Sequence, residues 1–373
     1  MIDDHVHPFP LTFEPLDLTG FSLDVAEGEE AERRRLTLEP TRLYTEMLRV
    51  RLARHLGCEP ADVVTTRDDV AARDWTAYVR GLFADAGTTG MLMDAGWQEL
   101  PTGGAEHFAD ASGVPVWELA RLEPLIDRML GENRGAREIV EAVDGFVQAK
   151  ARDGAVGFKT VLAYRTGLAV DVDVSLERAE RELAANRAAG TPVRRSGKAL
   201  RDLLFLRVLA CCADLDRPLQ VHTGFGDSEI RLAESDPLLL EEALRTPAGS
   251  SANVVLIHGS FPWHEQAGYL ASVRPRVWTE LSLCNLFSPA TTADRQLRLL
   301  DAAPAGRITL GSDGHGAPES HWFGSVVVRD AWQTVREFLG GKVGGRWLDE
   351  AEERLFETNA RQLYHLPAMR SPS

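Results

Sequence analysis

Cysteine is scarce in this chain: four in 373 residues. Cys58, Cys211, Cys212 and Cys284 show no zinc-finger spacing, and the neighbours Cys211 and Cys212 could pair only with strain. A disulfide framework and a thiolate metal site are therefore excluded, and packing accounts for these residues. Positive charge is also short, with 41 Lys and Arg against 56 Asp and Glu and a net charge of -15. Nucleic acid and bare anionic membranes are poor partners for such a surface. No apolar run reaches the length of a membrane span and no secretory leader precedes Asp3, so a reduced, cytoplasmic protein with no membrane partner is the expectation. Internal repeats and low-complexity tracts are missing too.

What the chain does have is alternation. Short apolar runs at 1–6, 90–94, 114–120, 155–163, 218–222, 253–258, 276–281 and 307–311 read as strands. Between them lie amphipathic stretches such as 137–152, 175–189, 198–215, 237–245 and 263–272, which read as helices. Eight such units predict an α/β fold, a (β/α)8 TIM-type barrel whose strands bring their C-terminal ends to one mouth. An open doubly wound sheet is the competitor, but the glycine-rich phosphate turn expected after strand one is absent and His5 and His7 stand in its place. A barrel needs about 250 residues, so residues 8–87 are expected to form a helical insertion after strand one, serving as a lid or a dimer contact. Residues 1–366 read as a single domain and 367–373 as a disordered tail.

The residues able to do chemistry cluster at the predicted strand ends. His5 and His7 point the same way if residues 1–6 are extended, so both imidazoles can grip one divalent ion, with Asp3 on that face as a supporting partner. Three further apolar runs end in His222, His258 and Asp313. Singly, each has a plain reading: a hydrogen-bonded histidine, or an Asp-Gly turn. Jointly, the spacing from His222 to His258 fits one βα unit and that to Asp313 fits two, which places all five around one mouth.

The ordered set His5-x-His7, Lys159, His222, His258 and Asp313 resembles the amidohydrolase superfamily. The phrases Gly157-Phe158-Lys159-Thr160, Gln220-Val221-His222-Thr223-Gly224 and Leu310-Gly311-Ser312-Asp313 are similar to the amidohydrolase-related domain of FluG-type proteins, here with no glutamine synthetase-like domain expected to follow. The resemblance implies that His5, His7, His222 and Asp313 bind the metal. It implies that His258 polarises the substrate or holds a second ion, and that Lys159 is a strand-four group that bridges two ions if carboxylated. The plainer reading of Lys159 is an ammonium facing a substrate carboxylate or a buried Asp, which favours one ion over two. Zinc is the default, with Mn, Fe and Ni as alternatives for a His/carboxylate set.

These expectations lead to a metal-dependent hydrolase that opens the C–N bond of a small carboxylated amide, of which a γ-glutamyl compound is one example. A divalent ion brings the pKa of its water to roughly 7, Asp313 carries the proton, and His258 donates to the developing oxyanion. Arg165 and Arg121 are candidates for a carboxylate clamp, and Trp97 and His315 for contact with substrate; each could equally serve structure. Two rival readings share the residues: a non-oxidative decarboxylase at the same mononuclear site, and an idle barrel acting as a scaffold or regulatory partner. A homodimer through the insertion is compatible with all three.

Overall fold

The computed structural model of the chain describes residues 1–96 and 104–367. Trp97 lies outside the described residues, as do residues 368–373 of the expected tail. Eight parallel strands run in sequence order around one sheet: β1 (Ile2–Val6), β2 (Gly90–Asp94), β3 (Val116–Arg121), β4 (Gly157–Thr160), β5 (Leu219–His222), β6 (Val254–Ile257), β7 (Val277–Leu281) and β8 (Ile308–Leu310). Main-chain bonds beyond the last ladder close the ring. The Asp313 amide donates to the His5 carbonyl at 2.9 Å, and the His7 amide donates to the Gly314 carbonyl at 2.8 Å. This is the TIM-type (β/α)8 barrel that the alternation predicts.

The strands form where they do because both faces are covered. Every residue of β4, β5 and β6 is buried, and β6, with the sequence Val-Val-Leu-Ile, is apolar throughout, as a strand covered on both faces is. The helix Lys198–Leu215 between β4 and β5 is apolar on most sides for the same reason, with Leu200, Leu204, Phe205, Val208 and Leu209 buried against the sheet.

The insertion carries helices Glu29–Leu38, Leu43–Leu56, Val63–Arg73 and Trp75–Ala86. It shares a core with the barrel: Leu48, Leu52, Val79, Leu82 and Phe83 pack in one cluster with Val6, Met91, Met93 and with Trp322 and Phe323 of the helix Pro318–Leu339. A charged knot locks this joint. Buried Arg67 donates from Nε to Oε1 of buried Glu319 at 2.5 Å, and the Tyr78 hydroxyl donates to the same oxygen at 2.7 Å.

β1 departs from strict alternation. Its register against β2 slips between Asp3 and Val6, so the strand carries one extra residue there. Asp3, expected on the His5 face, lies on the other side: its carboxylate accepts from the Ser312 amide at 2.7 Å and from the Ser325 hydroxyl at 3.3 Å. It fixes the segment that carries Asp313.

Candidate metal centre

The mouth of the barrel opens into a cavity of about 430 Å³ lined by His7, Arg121, Lys159, His222, His258, Asp313 and His315, among others. Its outer wall is apolar, from Leu23 and Val25 of the insertion and from Leu283 and Phe287 after β7. The segment 22–25 is tied across the mouth by Ser228, whose amide donates to the Leu23 carbonyl at 2.7 Å and whose hydroxyl accepts from the Val25 amide at 3.2 Å.

His5, His7 and Asp313 form one group. Their ligand atoms lie within 4.8 Å of one another, and Asp313 Oδ1 is 3.4 Å from Nε2 of each imidazole. Hydrogen bonds fix both tautomers. The Gln220 amide nitrogen donates to the Asp4 carbonyl at 2.9 Å and to the Tyr364 oxygen at 2.8 Å. Its Oε1, 2.7 Å from His5 Nδ1, must therefore accept a proton from that nitrogen. His7 Nδ1 can only donate to the Asp94 carbonyl, 2.9 Å away. Both Nε2 atoms are left with lone pairs turned toward Asp313, the arrangement a cation requires. Burial reinforces this by holding the His5 imidazole well below its usual range, hence neutral. Asp313 Oδ1 is itself buried with no hydrogen-bond partner among the described residues, an omission that costs free energy unless a ligand fills it. Asp313 also adopts a left-handed backbone, φ 57°, as does His258, φ 68°. Non-glycine residues rarely do so outside sites where side-chain direction matters.

His222 lines the cavity but stands outside that three-residue group. Its Nε2 donates to the Phe225 carbonyl at 3.1 Å, which leaves Nδ1 as its lone pair, and its ring packs 4.4 Å from that of His258. Gly224 beside it is required: a Cβ there would come within 2.4 Å of the Ser260 backbone after β6.

Lys159 is buried between His5 and Asp94, with Nζ 3.2 Å from His5 Nε2 and 4.0 Å from Asp94 Oδ2. Burial brings its ammonium down to about 8, against the pull of Asp94. Asp94 feels the same burial, but Arg121 above all, with Lys159, overcomes it and holds the carboxyl at about 2. Lys159 Nζ thus faces both the His5 ring and the buried Asp94 carboxylate.

The two arginines expected to clamp a substrate carboxylate are committed elsewhere. Arg121 lines the cavity, yet its Nε and Nη2 donate to Asp94 Oδ2 at 2.9 and 2.6 Å. Arg165 is not part of the cavity wall; it pairs with Asp127 at 2.9 Å. An Asp at the right loop distance claims each guanidinium, because a buried cation without a partner is far costlier than a pair. His315 does reach the cavity, stacked on Phe287 with centroids 5.9 Å apart and donating from Nδ1 to the Asp313 carbonyl at 2.8 Å.

Several residues escaped sequence reasoning. Gln220 sits two before His222 and so shares its inward face, a signal that period-two reading could have used. Asp94 closes a strand, much as the ligand types do. Tyr164, Arg194 and Asp227 also line the cavity.

Comparison with known proteins agrees with this picture. Residues 128–366 match the family model described as Amidohydrolase. The fluG protein of Emericella nidulans is 36% identical over 236 residues, which is 58% of this chain and 26% of the fungal protein. The chain thus spans about a quarter of that relative's length. A Lactobacillus casei ATCC 334 protein, provisionally described as a metal-dependent hydrolase, superposes with a TM-score of 0.84 at 24% identity, covering 98% of this chain and 94% of its own. The uronate isomerase of Thermotoga maritima gives 0.69 at 12% identity, covering 98% and 94%. At such identities these two likenesses concern the fold.

Proposed function

The chain belongs to the Amidohydrolase family, and from that premise we propose that it is a metal-dependent hydrolase that opens the C–N bond of a small carboxylated amide, a γ-glutamyl compound being one example. One observation carries the reading: the buried Asp313 Oδ1, without a partner of its own, faces two lone-pair nitrogens at 3.4 Å each. That donor set suits zinc, and equally Mn, Fe or Ni.

His5, His7 and Asp313 would hold the ion, with His222 as a fourth ligand through Nδ1. When bound, a divalent ion makes water acidic near neutral pH and polarises a carbonyl. The Asp313 carboxylate, through the oxygen that does not hold the ion, would take the proton that the attacking water loses and deliver it to the departing nitrogen. Gln220 and the Asp94 carbonyl keep the two imidazoles turned so that their lone pairs stay on the cavity side. Lys159 and Arg121, anchored on Asp94, place positive charge at the cavity floor, which favours an anionic substrate. The wall formed by Leu23, Val25, Leu283 and Phe287 limits water around the reacting bond.

Metal content and turnover test this together. The purified protein should carry or take up about one divalent ion per chain, and release ammonia or amine from a panel of N-acyl amino acids and γ-glutamyl amides. Carbon dioxide release from aromatic acids, with no amine release, would replace hydrolysis by decarboxylation. A protein that takes up no ion, and gains no stability from zinc or manganese, would be a scaffold.

A further inference from the structure

The Lys, Arg and Asp side chains of the cavity wall have charged or imidazole partners among the described residues, with one exception. Arg121 and Lys159 face Asp94, Asp313 faces the two imidazoles, and Arg194 pairs with Glu229 at 2.6 Å. Asp227 is the second carboxylate of the described wall, and among the described residues it forms no ion pair.

Asp227 stands in the loop after β5, five residues beyond His222, and three hydrogen bonds fix it there. Its amide donates to the Tyr164 hydroxyl at 3.0 Å, and its Oδ1 accepts from the Glu229 amide at 2.9 Å. The next residue, Ser228, donates from its amide to the Leu23 carbonyl at 2.7 Å. Gly226 makes room for the tyrosine: a Cβ there would collide with the Tyr164 hydroxyl and lie 3.2 Å from His222 Nε2. The Tyr164 ring packs 4.7 Å from that of His222. The wall that carries Asp227 therefore adjoins the candidate metal centre.

The turn closed by the Glu229 amide accounts for one carboxylate oxygen. It does not account for the charge, because Asn or Ser closes the same turn with a neutral oxygen. A half-buried carboxylate without a countercharge is costly. Burial raises the Asp227 carboxyl, against the Glu229 amide, Arg194 and the Tyr164 hydroxyl; an ammonium docked beside it would add to that opposition and favour the ionised form.

We infer that Asp227 is an ammonium subsite, which receives a protonated amine of the substrate on the oxygen that the turn leaves open. On the amide-hydrolysis reading, on which it rests for the substrate's class, the subsite narrows the choice. Lys159 and Arg121 at the floor favour a carboxylate, and Asp227 on the side wall favours an amine. The substrate class is then an amide of an amino acid whose own amino group is free. A γ-glutamyl amide qualifies; an N-acyl amino acid, whose nitrogen is uncharged, does not.

Binding tests the subsite without turnover. L-glutamate and L-aspartate are titrated calorimetrically into zinc-loaded protein, each beside its N-acetyl counterpart. At least one free amino acid should bind about ten- to a hundredfold tighter than its acetylated form, the range of a hydrogen bond to a charged group. Asp227→Asn keeps an oxygen for the Glu229 amide, so the loop is retained, and should erase the preference. Asp227→Ser, which closes the turn through its hydroxyl, should do the same. Equal affinity for free and acetylated forms in the wild type overturns the inference. So does a preference that survives in both variants, and so does failure of both free amino acids to bind. In turnover, Asp227→Asn should lower kcat/KM for a γ-glutamyl amide by about ten- to a hundredfold. If no amide is hydrolysed while the binding preference holds and depends on Asp227, the hydrolysis reading fails and the ammonium subsite stands.

Discussion

Asp94→Asn removes a negative charge that two buried cations share at the cavity floor. Arg121 donates to both carboxylate oxygens, at 3.1 Å to Oδ1 and 2.6 Å to Oδ2, and Lys159 stands 4.0 Å away. Breaking a buried pair from one side costs about 3–5 kcal/mol, because the surviving charge stays desolvated. A second route to the magnitude uses the proton. Holding the carboxyl at about 2 against its usual 3.8 is worth roughly 2–3 kcal/mol. The two routes bracket the expected loss at about 2–5 kcal/mol. The pH dependence has a definite sign. A folded-state value below the unfolded one means the stabilisation is fully present above about pH 4 and drains away as pH falls through 2. Urea unfolding of wild type and variant at neutral pH, repeated at intervals down the acid range, reads both quantities. The gap should be largest at neutral pH and shrink below pH 4. A variant within about 0.5 kcal/mol of wild type at pH 7, or a gap that ignores acid, would refute the claim that this carboxylate is what makes the two cations tolerable.

Asp313→Asn should retain much of the metal yet lose turnover by orders of magnitude, since an amide cannot take the proton; metal stoichiometry beside amine release checks this, and near-wild-type rates would remove Asp313 from proton transfer. Zinc at a hundred times its dissociation constant should raise unfolding free energy by about 2.7 kcal/mol, visible as a higher melting temperature, and His5→Ala should abolish most of that rise. Arg67→Met strands the buried Glu319 carboxylate and should cost about 3–5 kcal/mol; adding Glu319→Gln should recover part of it in denaturant melts, and full additivity of the two losses would contradict the pair.

The barrel was legible because strands buried on both faces leave apolar runs, and the ligand types end those runs where a mouth must be. All eight sequence segments coincide with β1 to β8. The partnerships were not legible. Arg121 and Asp94 are 27 residues apart, Arg165 and Asp127 are 38, and which acid captures which arginine depends on loop paths that carry no periodicity. The extra residue in β1 is equally silent: period-two reading puts Asp3 with the imidazoles, whereas the bulge hands it to Ser312 and Ser325. His222 was placed correctly in the mouth, but the hydrogen bond that occupies its Nε2 comes from a backbone carbonyl and has no sequence signature.

The ring is closed by Asp313 meeting the backbone of His5, 308 positions away along the chain. During synthesis at about 5–20 residues per second, the imidazoles emerge first and wait many seconds for their carboxylate. On the proposed metal-dependent reading, the ribosome-bound chain would offer a cation only part of its grip over that interval, and metal capture would be a late event, coupled to the slow formation of distant contacts.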